Sequence, residues 1–366
     1  MKPLSNSISW WRVQYTESDA MAVADAIRSE RLSLGPLTFE FEQAISEKLS
    51  VPYVVATTSG SMALLMALIA MGVGVGDEVI VPNRTWIAAA HAVMMVGAKV
   101  KLVDVCETIP ILDITQLENK ITSKTKAIIP ASLSGRAVNI DEINKVAKKY
   151  NIFVIEDAAQ AFLSRDGNAY SGVGALISCF SLSMAKLIST GQGGFLATKN
   201  EEIYKALLKI RTHGVNDLLN CSFDRFGFNF RFTDLQASLG KMQLKKVDQK
   251  IKSINAIYQR YEAGLKDFSN IKLIPVAVSK GEIPLYIEVV CKERERLMSF
   301  LTKKKIQTKA FYPNLNRAMY MEDPTEFKNA NKFESQGIIL PCGPDQTLEN
   351  VDRVIEAISL YEAKKN

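Results

Sequence analysis

The chain has 366 residues, 47% of them hydrophobic and 23% charged, which suffices for one large domain and a smaller one. Its net charge of +6 comes from dispersed basic residues, a pattern that suits anionic small substrates and gives no indication of nucleic-acid binding. The five cysteines are far apart without a C-x-x-C pair, which argues against a disulfide framework or a zinc site and predicts a reducing cytosol: Cys106, Cys179, Cys221, Cys291 and Cys342.

The amino-terminal segment, residues 1–15, is polar and lacks the apolar core of a signal peptide, so export is not expected. The most apolar stretch, residues 62–75, is shorter than the roughly 20 residues that a membrane helix needs. We therefore expect this stretch to be a buried helix in a cytoplasmic protein without membrane contact.

Between residues 50 and 200, short β-branched runs alternate with helical patterns, which is typical of a mostly parallel sheet covered by helices. The predicted strands are 53–57, 78–81, 99–105, 126–130, 152–155, 177–181 and 194–198. The predicted helices between them are 62–71, 88–96 and 140–150. The pattern predicts a large α/β domain.

A single long, charged helix is predicted for residues 233–263, where no proline occurs and Gly240 is the one interior breaker. The chain beyond it has a different pattern, with predicted strands at 271–278 and 285–291 and predicted helices at 292–305 and 348–364. We therefore predict a large domain at residues 1–245, including the amino-terminal segment, and a small α+β domain at residues 246–366.

An acidic pair, Glu156 and Asp157, stands at the carboxyl end of a hydrophobic strand, where open α/β sheets bind ligands. A carboxylate at this point can keep a pyridinium ring protonated, so that the ring accepts electrons from a carbanion. It can also bind magnesium or cap a helix. The local sequence leaves all three roles open for Asp157.

Lys186 follows the predicted strand 177–181 and precedes a glycine-rich turn at 190–194. Its apolar and small neighbours indicate a partly desolvated amine, which lowers the pKa of a lysine and favours imine formation, although most lysines simply lie on the surface. Ser181, at the end of the same strand, can offer its hydroxyl to a phosphate or bond to its own backbone.

Small residues open a helix at 58–62, where the first amides have no intrahelical partner and can bind a phosphate. Taken alone, Ser59 or Ser61 is an ordinary helix cap, but in combination with Lys186 and Asp157 a phosphate site is the better interpretation.

Two other glycine-rich segments fail as nucleotide motifs. Residues 72–76 follow a helix instead of a strand, and residues 190–194 lack the lysine and hydroxyl residue of a Walker motif. Neither NAD nor ATP is therefore supported.

Trp86 follows another strand end and can either lie against an aromatic cofactor or fill the core. His91 and His213 are the only histidines, and they are far apart in a sequence without a serine or cysteine nucleophile motif. Neither a metal site nor a catalytic triad is predicted.

Taken together and in this order, these segments resemble the DegT/DnrJ/StrS family of sugar aminotransferases over about residues 30–245. Further segments follow the family pattern in register, at 34–42, 76–80, 156–160, 227–231 and 235–237. The resemblance implies the aspartate-aminotransferase-like fold (PLP fold type I), with a mixed, mostly parallel sheet, and pyridoxal 5'-phosphate (PLP) as the cofactor.

The resemblance also implies residue roles at the cofactor ring. Lys186 is implied to be the catalytic lysine, which carries the cofactor as a Schiff base and moves the proton. Asp157 would bind the ring nitrogen, Trp86 would stack on the ring, and Gln160 would lie near the ring hydroxyl.

At the other end of the cofactor, the resemblance implies that Gly60, Ser61 and Ser181 hold the phosphate. Asn229 would reach the same phosphate from the other subunit. This assignment makes a homodimer part of the active site.

The substrate is also indicated by the resemblance. Relatives that use the cofactor for dehydration carry histidine at the lysine position, so Lys186 favours amino transfer, with L-glutamate as donor and a keto-sugar as acceptor. The expected acceptor is a nucleotide-linked 4-keto-6-deoxyhexose for surface polysaccharide or glycan synthesis.

Departures from the family pattern concern the substrate and not the cofactor: Ser132 and Ser183 replace a frequent histidine, Gln192 replaces a glutamate, and residues 312–316 replace a proline-leucine-histidine pattern. The alternatives are a free keto-sugar or keto-sugar acid, such as an oxidised 3-deoxy-octulosonate, and a non-catalytic PLP-binding regulator.

Overall fold

The computed structural model describes residues 7–215, 222–223, 225–321 and 323–363, so that Cys221 and Lys364 lie outside the described residues. The helices are α1 (Glu17–Arg28), α2 (Pro36–Leu49), α3 (Gly60–Ala70), α4 (Ala88–Met95), α5 (Leu117–Lys120), α6 (Ile140–Lys149), α7 (Glu201–Arg211), α8 (Asp234–Lys245), α9 (Val247–Leu265), α10 (Arg294–Lys303), α11 (Lys328–Gln336) and α12 (Leu348–Ala363). The strands are β1 (Tyr53–Thr57), β2 (Glu78–Pro82), β3 (Lys99–Val103), β4 (Thr125–Ile128), β5 (Phe153–Asp157), β6 (Arg165–Asp166), β7 (Ala169–Tyr170), β8 (Ile177–Ser181), β9 (Gly194–Thr198), β10 (Ile271–Leu273), β11 (Ile287–Cys291), β12 (Lys309–Ala310) and β13 (Gly337–Leu340).

A seven-stranded sheet forms the centre of the molecule, in the order β1-β9-β8-β5-β4-β2-β3. Strand β9 is antiparallel to both of its neighbours, whereas the pairs from β8 to β3 are parallel. The predicted mixed, mostly parallel sheet is therefore confirmed. Each strand and helix predicted between residues 50 and 200 agrees with the structure to within two residues at either end.

Both faces of this sheet are buried, as expected for strands covered by helices. Successive side chains of a strand point to opposite faces, so Val55 of β1 enters one apolar cluster while Val54 and Ala56 enter another. The cluster of Val55 contains α3 and α4, and the cluster of Val54 contains α2. Helices packed on both faces thus hold in place the sheet whose strand ends contribute to the site.

A second, four-stranded antiparallel sheet has the order β10-β11-β13-β12 and packs with α9, α10 and α12. The amino-terminal segment, which the sequence placed with the large domain, pairs with this part of the chain through the bridges Ile8 to Ile306 and Trp11 to Cys342. No helix in the described ranges has both the length and the apolarity required to cross a lipid bilayer.

The single helix predicted at 233–263 is wrong, because the structure divides it into α8 and α9 at Lys246. The Lys246 amine donates to Asp19 Oδ2 at 2.7 Å, and this ion pair with α1 holds the residue at the break. Gly240, the expected weak point, instead lies inside α8, where an added Cβ would come within 2.8 Å of the Phe41 ring. The predicted strand 271–278 is also too long, because β10 ends at Leu273, before Pro275.

Candidate active site

A cleft of about 430 Å³ opens where the carboxyl ends of β1, β5 and β8 meet. Parallel strands end at one edge of a sheet, which is why residues distant in sequence converge there. Seven of the eight predicted site residues line this cleft: Gly60, Ser61, Trp86, Asp157, Gln160, Ser181 and Lys186. The second sheet contributes the opposite wall.

Asp157 is buried at the end of β5, with one carboxylate oxygen bound by the protein. Oδ1 accepts a hydrogen bond from the amide of Ala159 at 3.1 Å, and no described residue donates to Oδ2. Burial raises the pKa of this carboxyl, against the smaller lowering effects of the Ala159 amide and of Lys186. A protonated ring nitrogen beside it would favour the ionised form.

Glu156 is also buried, but the protein satisfies its carboxylate. Oε1 accepts from the hydroxyls of Ser132 at 2.8 Å and Ser171 at 2.9 Å, and Oε2 accepts from the amide of Gly172 at 2.9 Å. Burial raises its pKa. Of the acidic pair, Asp157 therefore has an oxygen available for a ligand, and Glu156 holds loops together.

Lys186 lies in the loop between β8 and β9, half-buried in the cleft. Burial lowers its pKa from 10.5 to about 8, partly opposed by the charge of Asp157 and reinforced by that of Lys309. No described residue accepts a hydrogen bond from its amine. The preceding residue is fixed instead, because the Tyr286 hydroxyl donates to the Ala185 carbonyl at 2.7 Å.

The amino terminus of α3 lies at the other end of the cleft. Ser59 caps the helix by accepting from the Met62 amide at 3.2 Å, so the amides of Gly60 and Ser61 keep no acceptor among the described residues. The backbone here packs closely on β9, since a Cβ at Gly194 would lie 2.6 Å from the Gly60 nitrogen. Free helix amides beside the Ser181 hydroxyl form a suitable site for a phosphate.

Trp86 and Gln160 flank the space between Lys186 and the second sheet. The Trp86 ring meets the Tyr312 ring edge-on at 5.5 Å, and half of Trp86 remains exposed. Gln160 accepts from the Ser134 amide at 3.0 Å, and both Gln160 and Tyr312 line the cleft. Burial raises the pKa of Tyr312 to about 12, so its hydroxyl stays protonated at neutral pH.

Three lining residues were missed from the sequence: Glu288 and Lys309 of the second sheet, and Tyr286, which directly precedes β11. Glu288 Oε2 accepts from Arg136 at 2.6 Å in a buried ion pair. Tyr286 and Glu288 fall within the predicted strand 285–291 but in no recognisable motif, and Lys309 lies in β12, which has only two residues. Their proximity to Lys186 depends on contacts between segments about a hundred residues apart.

Asn229, the eighth predicted site residue, does not line the cleft of its own chain. It is exposed and forms an isolated bridge with Thr212. Its side-chain oxygen accepts from Arg231 Nε at 2.9 Å, which leaves its amide nitrogen able to donate.

The polar groups in the cleft fit pyridoxal phosphate. A buried carboxylate with one unbound oxygen suits a protonated ring nitrogen, an unpaired amine of lowered pKa suits an aldehyde, and free helix amides suit a phosphate. The described residues contain no cluster of three or more His, Cys, Asp or Glu side chains suited to a metal ion.

Residues 13–359 match the DegT/DnrJ/EryC1/StrS aminotransferase family. This chain belongs to that family. It is 34% identical to the GDP-perosamine synthase of Caulobacter vibrioides, over 89% of this chain and 90% of that protein. It is 32% identical to the dTDP-3-amino-3,4,6-trideoxy-alpha-D-glucose transaminase of Streptomyces venezuelae, over 93% and 91% of the two chains.

The fold comparison agrees with the sequence comparison. The structure of DesV from S. venezuelae superposes with a TM-score of 0.90 at 29% identity and covers 94% of each chain. A structural relative at 27% identity is known in both a PLP form and a PMP form, the latter being the amine form of the cofactor. The chain is a PLP-dependent aminotransferase of fold type I, which also sets aside the non-catalytic regulator.

Proposed function

We propose that this enzyme transfers the amino group of L-glutamate to a nucleotide-linked keto-sugar, most specifically a 4-keto-6-deoxyhexose used for surface polysaccharide or lipopolysaccharide. Support comes from the two relatives above, whose names specify a GDP-linked and a dTDP-linked amino sugar. Because the two relatives differ in the nucleotide, we propose a nucleotide-linked acceptor without specifying its base.

The observation that carries the site assignment is the convergence of Lys186, Asp157 and the α3 amino terminus in one cleft. We propose that Lys186 binds the cofactor covalently, that Asp157 binds its ring nitrogen, and that Gly60, Ser61 and Ser181 hold its phosphate. Trp86 would cover the ring, and Gln160 would lie by its hydroxyl. Bound there, pyridoxal phosphate supplies an electron sink for a carbanion at the substrate carbon.

Lys186 is also the proposed proton carrier of both half-reactions. An amine with a pKa of about 8 is partly neutral near physiological pH, so Nζ can accept a proton from the donor's α-carbon and later return one. Tyr286 restrains the backbone beside it, and Asp157 keeps a compensating negative charge nearby. Neither residue hydrogen-bonds to the amine itself, which therefore remains available to exchange a proton.

The absorption spectrum of the purified holoenzyme tests this function. L-glutamate should bleach the long-wavelength band of the lysine-bound cofactor, and a keto-sugar should restore it. Lys186→Ala should not form the band from its own side chain, while the control Lys303→Ala should behave as wild type. A band that glutamate does not bleach would refute the donor assignment. Restoration by unlinked but not nucleotide-linked keto-sugars would favour the free-sugar alternative.

We further propose a homodimer in which Asn229 completes the partner's phosphate site. Three phenylalanines near Asn229 are exposed, Phe223 at 81%, Phe226 at 64% and Phe228 at 50%. Exposed aromatic groups of this kind are typical of an interaction surface. The position of Asn229 outside its own cleft is consistent with a role in a neighbouring subunit.

Mixing two inactive variants tests the shared site. A heterodimer is formed from one Lys186→Ala subunit and one Asn229→Asp subunit. If each site takes Asn229 from the other subunit, both substitutions fall in the same site, the second site is intact, and activity should return. If Asn229 acts within its own chain, each site keeps one lesion and no activity returns. Sedimentation of the wild type would report the dimer directly.

We propose a cytoplasmic location, supported by the four described cysteines, none of which forms a disulfide with another. The division into domains at residues 245 and 246 also remains a proposal. It is supported by the break between α8 and α9 and by the separate sheets, and the segment around Ile8 belongs with the second part through its bridges to Ile306 and Cys342. Limited proteolysis near Lys246 would test it.

A further inference from the structure

The charged groups that line the cleft can be assigned to partners one by one. Among the described lining residues these groups are Lys186, Lys309, Asp157 and Glu288. Under the proposed function, Lys186 and Asp157 serve the cofactor, and Glu288 is already paired with Arg136 at 2.6 Å. Lys309 is therefore the charged lining residue that has neither a cofactor role nor an ion-pair partner among the described residues.

The position of Lys309 is fixed by two segments of the chain. It lies in β12, where it pairs with Ile339 of β13, another lining residue. Its ammonium lies 4.9 Å from the centre of the Trp10 ring, and the Trp10 amide donates to Gln307 at 3.2 Å. The aromatic face orients the ammonium but leaves its N–H donors available.

No carboxylate among the described residues lies within ion-pair distance of Lys309, and its side chain is exposed to the cleft. The amides suited to the cofactor phosphate are on α3, which belongs to the large-sheet side, whereas Lys309 is on the second sheet. An ammonium in the cleft without a carboxylate partner is well placed to bind an anionic group that enters the cleft.

We propose that Lys309 binds an anionic group of the substrate, either a carboxylate of the amino donor or the diphosphate of the nucleotide-linked acceptor. The inference rests on the proposed function and adds a specificity residue to it. Both groups are acceptors that a lysine ammonium binds through charge-assisted hydrogen bonds. The effect on the chemistry is indirect, since Lys309 positions the substrate and exchanges no proton with it.

Binding to the holoenzyme, measured without turnover, tests the proposal. Calorimetric titration with glutarate, which has both carboxylates of glutamate but no amino group, probes the donor subsite. Titration with GDP and dTDP probes the diphosphate. The variants are Lys309→Met, which keeps the length of the side chain, Lys309→Arg, which keeps the charge, and Lys303→Met as the control for an exposed lysine outside the cleft.

Lys309→Met should weaken either glutarate or the nucleoside diphosphates by about 10- to 100-fold, the usual worth of a hydrogen bond to a charged group. Lys309→Arg should restore most of the affinity, and Lys303→Met should change nothing. Weaker glutarate binding identifies the donor carboxylate, and weaker nucleotide binding identifies the acceptor diphosphate.

Three results would overturn the proposal: unchanged affinities in Lys309→Met, no binding of any of the three anions by the wild type, or a loss confined to cofactor affinity. Failure of the proposed function gives a different result. In that case the wild-type holoenzyme still binds these anions, but glutamate does not bleach its long-wavelength band. Thermal unfolding of Lys309→Met should match that of wild type, which separates the loss of an anion contact from the loss of packing on Trp10.

Discussion

The pKa of Lys186 can be moved in opposite directions by two substitutions in the cleft. Lys309→Met removes a cation that lowers this pKa, and Asp157→Asn removes an anion that raises it. With a pKa of about 8, about a quarter of the Lys186 amine is neutral at about pH 7.5, against about a thousandth for an ordinary lysine at 10.5. The neutral amine is the nucleophile, so its reactivity reports the pKa directly.

Competitive acetylation of the apoenzyme measures this reactivity. Acetic anhydride is added at a series of pH values, and peptide mass spectrometry compares acetylation of Lys186 with that of the exposed Lys303 in the same digest. The midpoint of the Lys186 curve should lie near pH 8 in the wild type. It should move up in Lys309→Met and down in Asp157→Asn. Because both lysines react with the same reagent in the same sample, the ratio of their acetylation is independent of how fast acetic anhydride hydrolyses at each pH.

Midpoints that do not move, or that move in the reverse order, would refute the electrostatic reasoning. A wild-type midpoint near that of an ordinary lysine would show that burial does not depress the pKa of this amine. Either result would also weaken the assignment of Lys186 as a proton carrier near neutral pH, because an amine that remains fully charged cannot accept a proton.

Three further substitutions test other contacts. Tyr286→Phe removes the hydroxyl bound to the Ala185 carbonyl and should lower the free energy of unfolding by about 1 kcal/mol in urea titration, and an unchanged value would contradict the contact. Glu156→Gln replaces an acceptor oxygen with a donor facing Gly172 or the serines and should cost about 1–3 kcal/mol by the same assay. For Asp19, burial raises the pKa, but hydrogen bonds from Lys246, Thr16 and Gln243 outweigh it and give about 2, below the ordinary 3.8. Its stabilising effect is thus present above 3.8 and lost as the pH falls through about 2, so wild type should lose roughly 2 kcal/mol there that Asp19→Asn does not lose.

The large sheet could be predicted because its signals are local. Its strands are short runs of four or five residues, and the predicted site residues lie at or just after the strand ends. Asp157 is the last residue of β5, and Ser181 is the last residue of β8. Their convergence follows from the shared direction of parallel strands, which a sequence pattern can indicate. The strand ends thus indicated Asp157 and Ser181 from local pattern, whereas the roles of Gln160 and Gly60 came from the family resemblance.

The second sheet was harder to predict because its contacts are distant in sequence. Tyr286 acts on a residue 101 positions earlier, and nothing in its neighbourhood indicates the Ala185 carbonyl. Lys309 belongs to a two-residue strand, which is too short for an alternating pattern to be recognised. The break at Lys246 has the same origin, since the ion pair to Asp19 spans 227 residues and no proline or glycine marks it.

The adjacent carboxylates Glu156 and Asp157 are both buried, but they differ in how many protein donors their oxygens bind. Both are buried and both have raised pKa values for the same physical reason, so neither burial nor pKa distinguishes them. Consecutive strand residues point to opposite faces, and only one of the two side chains can therefore enter the cleft. The protein supplies three donors to Glu156 but only one to Asp157, which leaves Asp157 Oδ2 without a described donor. Asp157 lines the cleft, so an oxygen without a described protein donor at this position supports the proposal that Asp157 binds a ligand there.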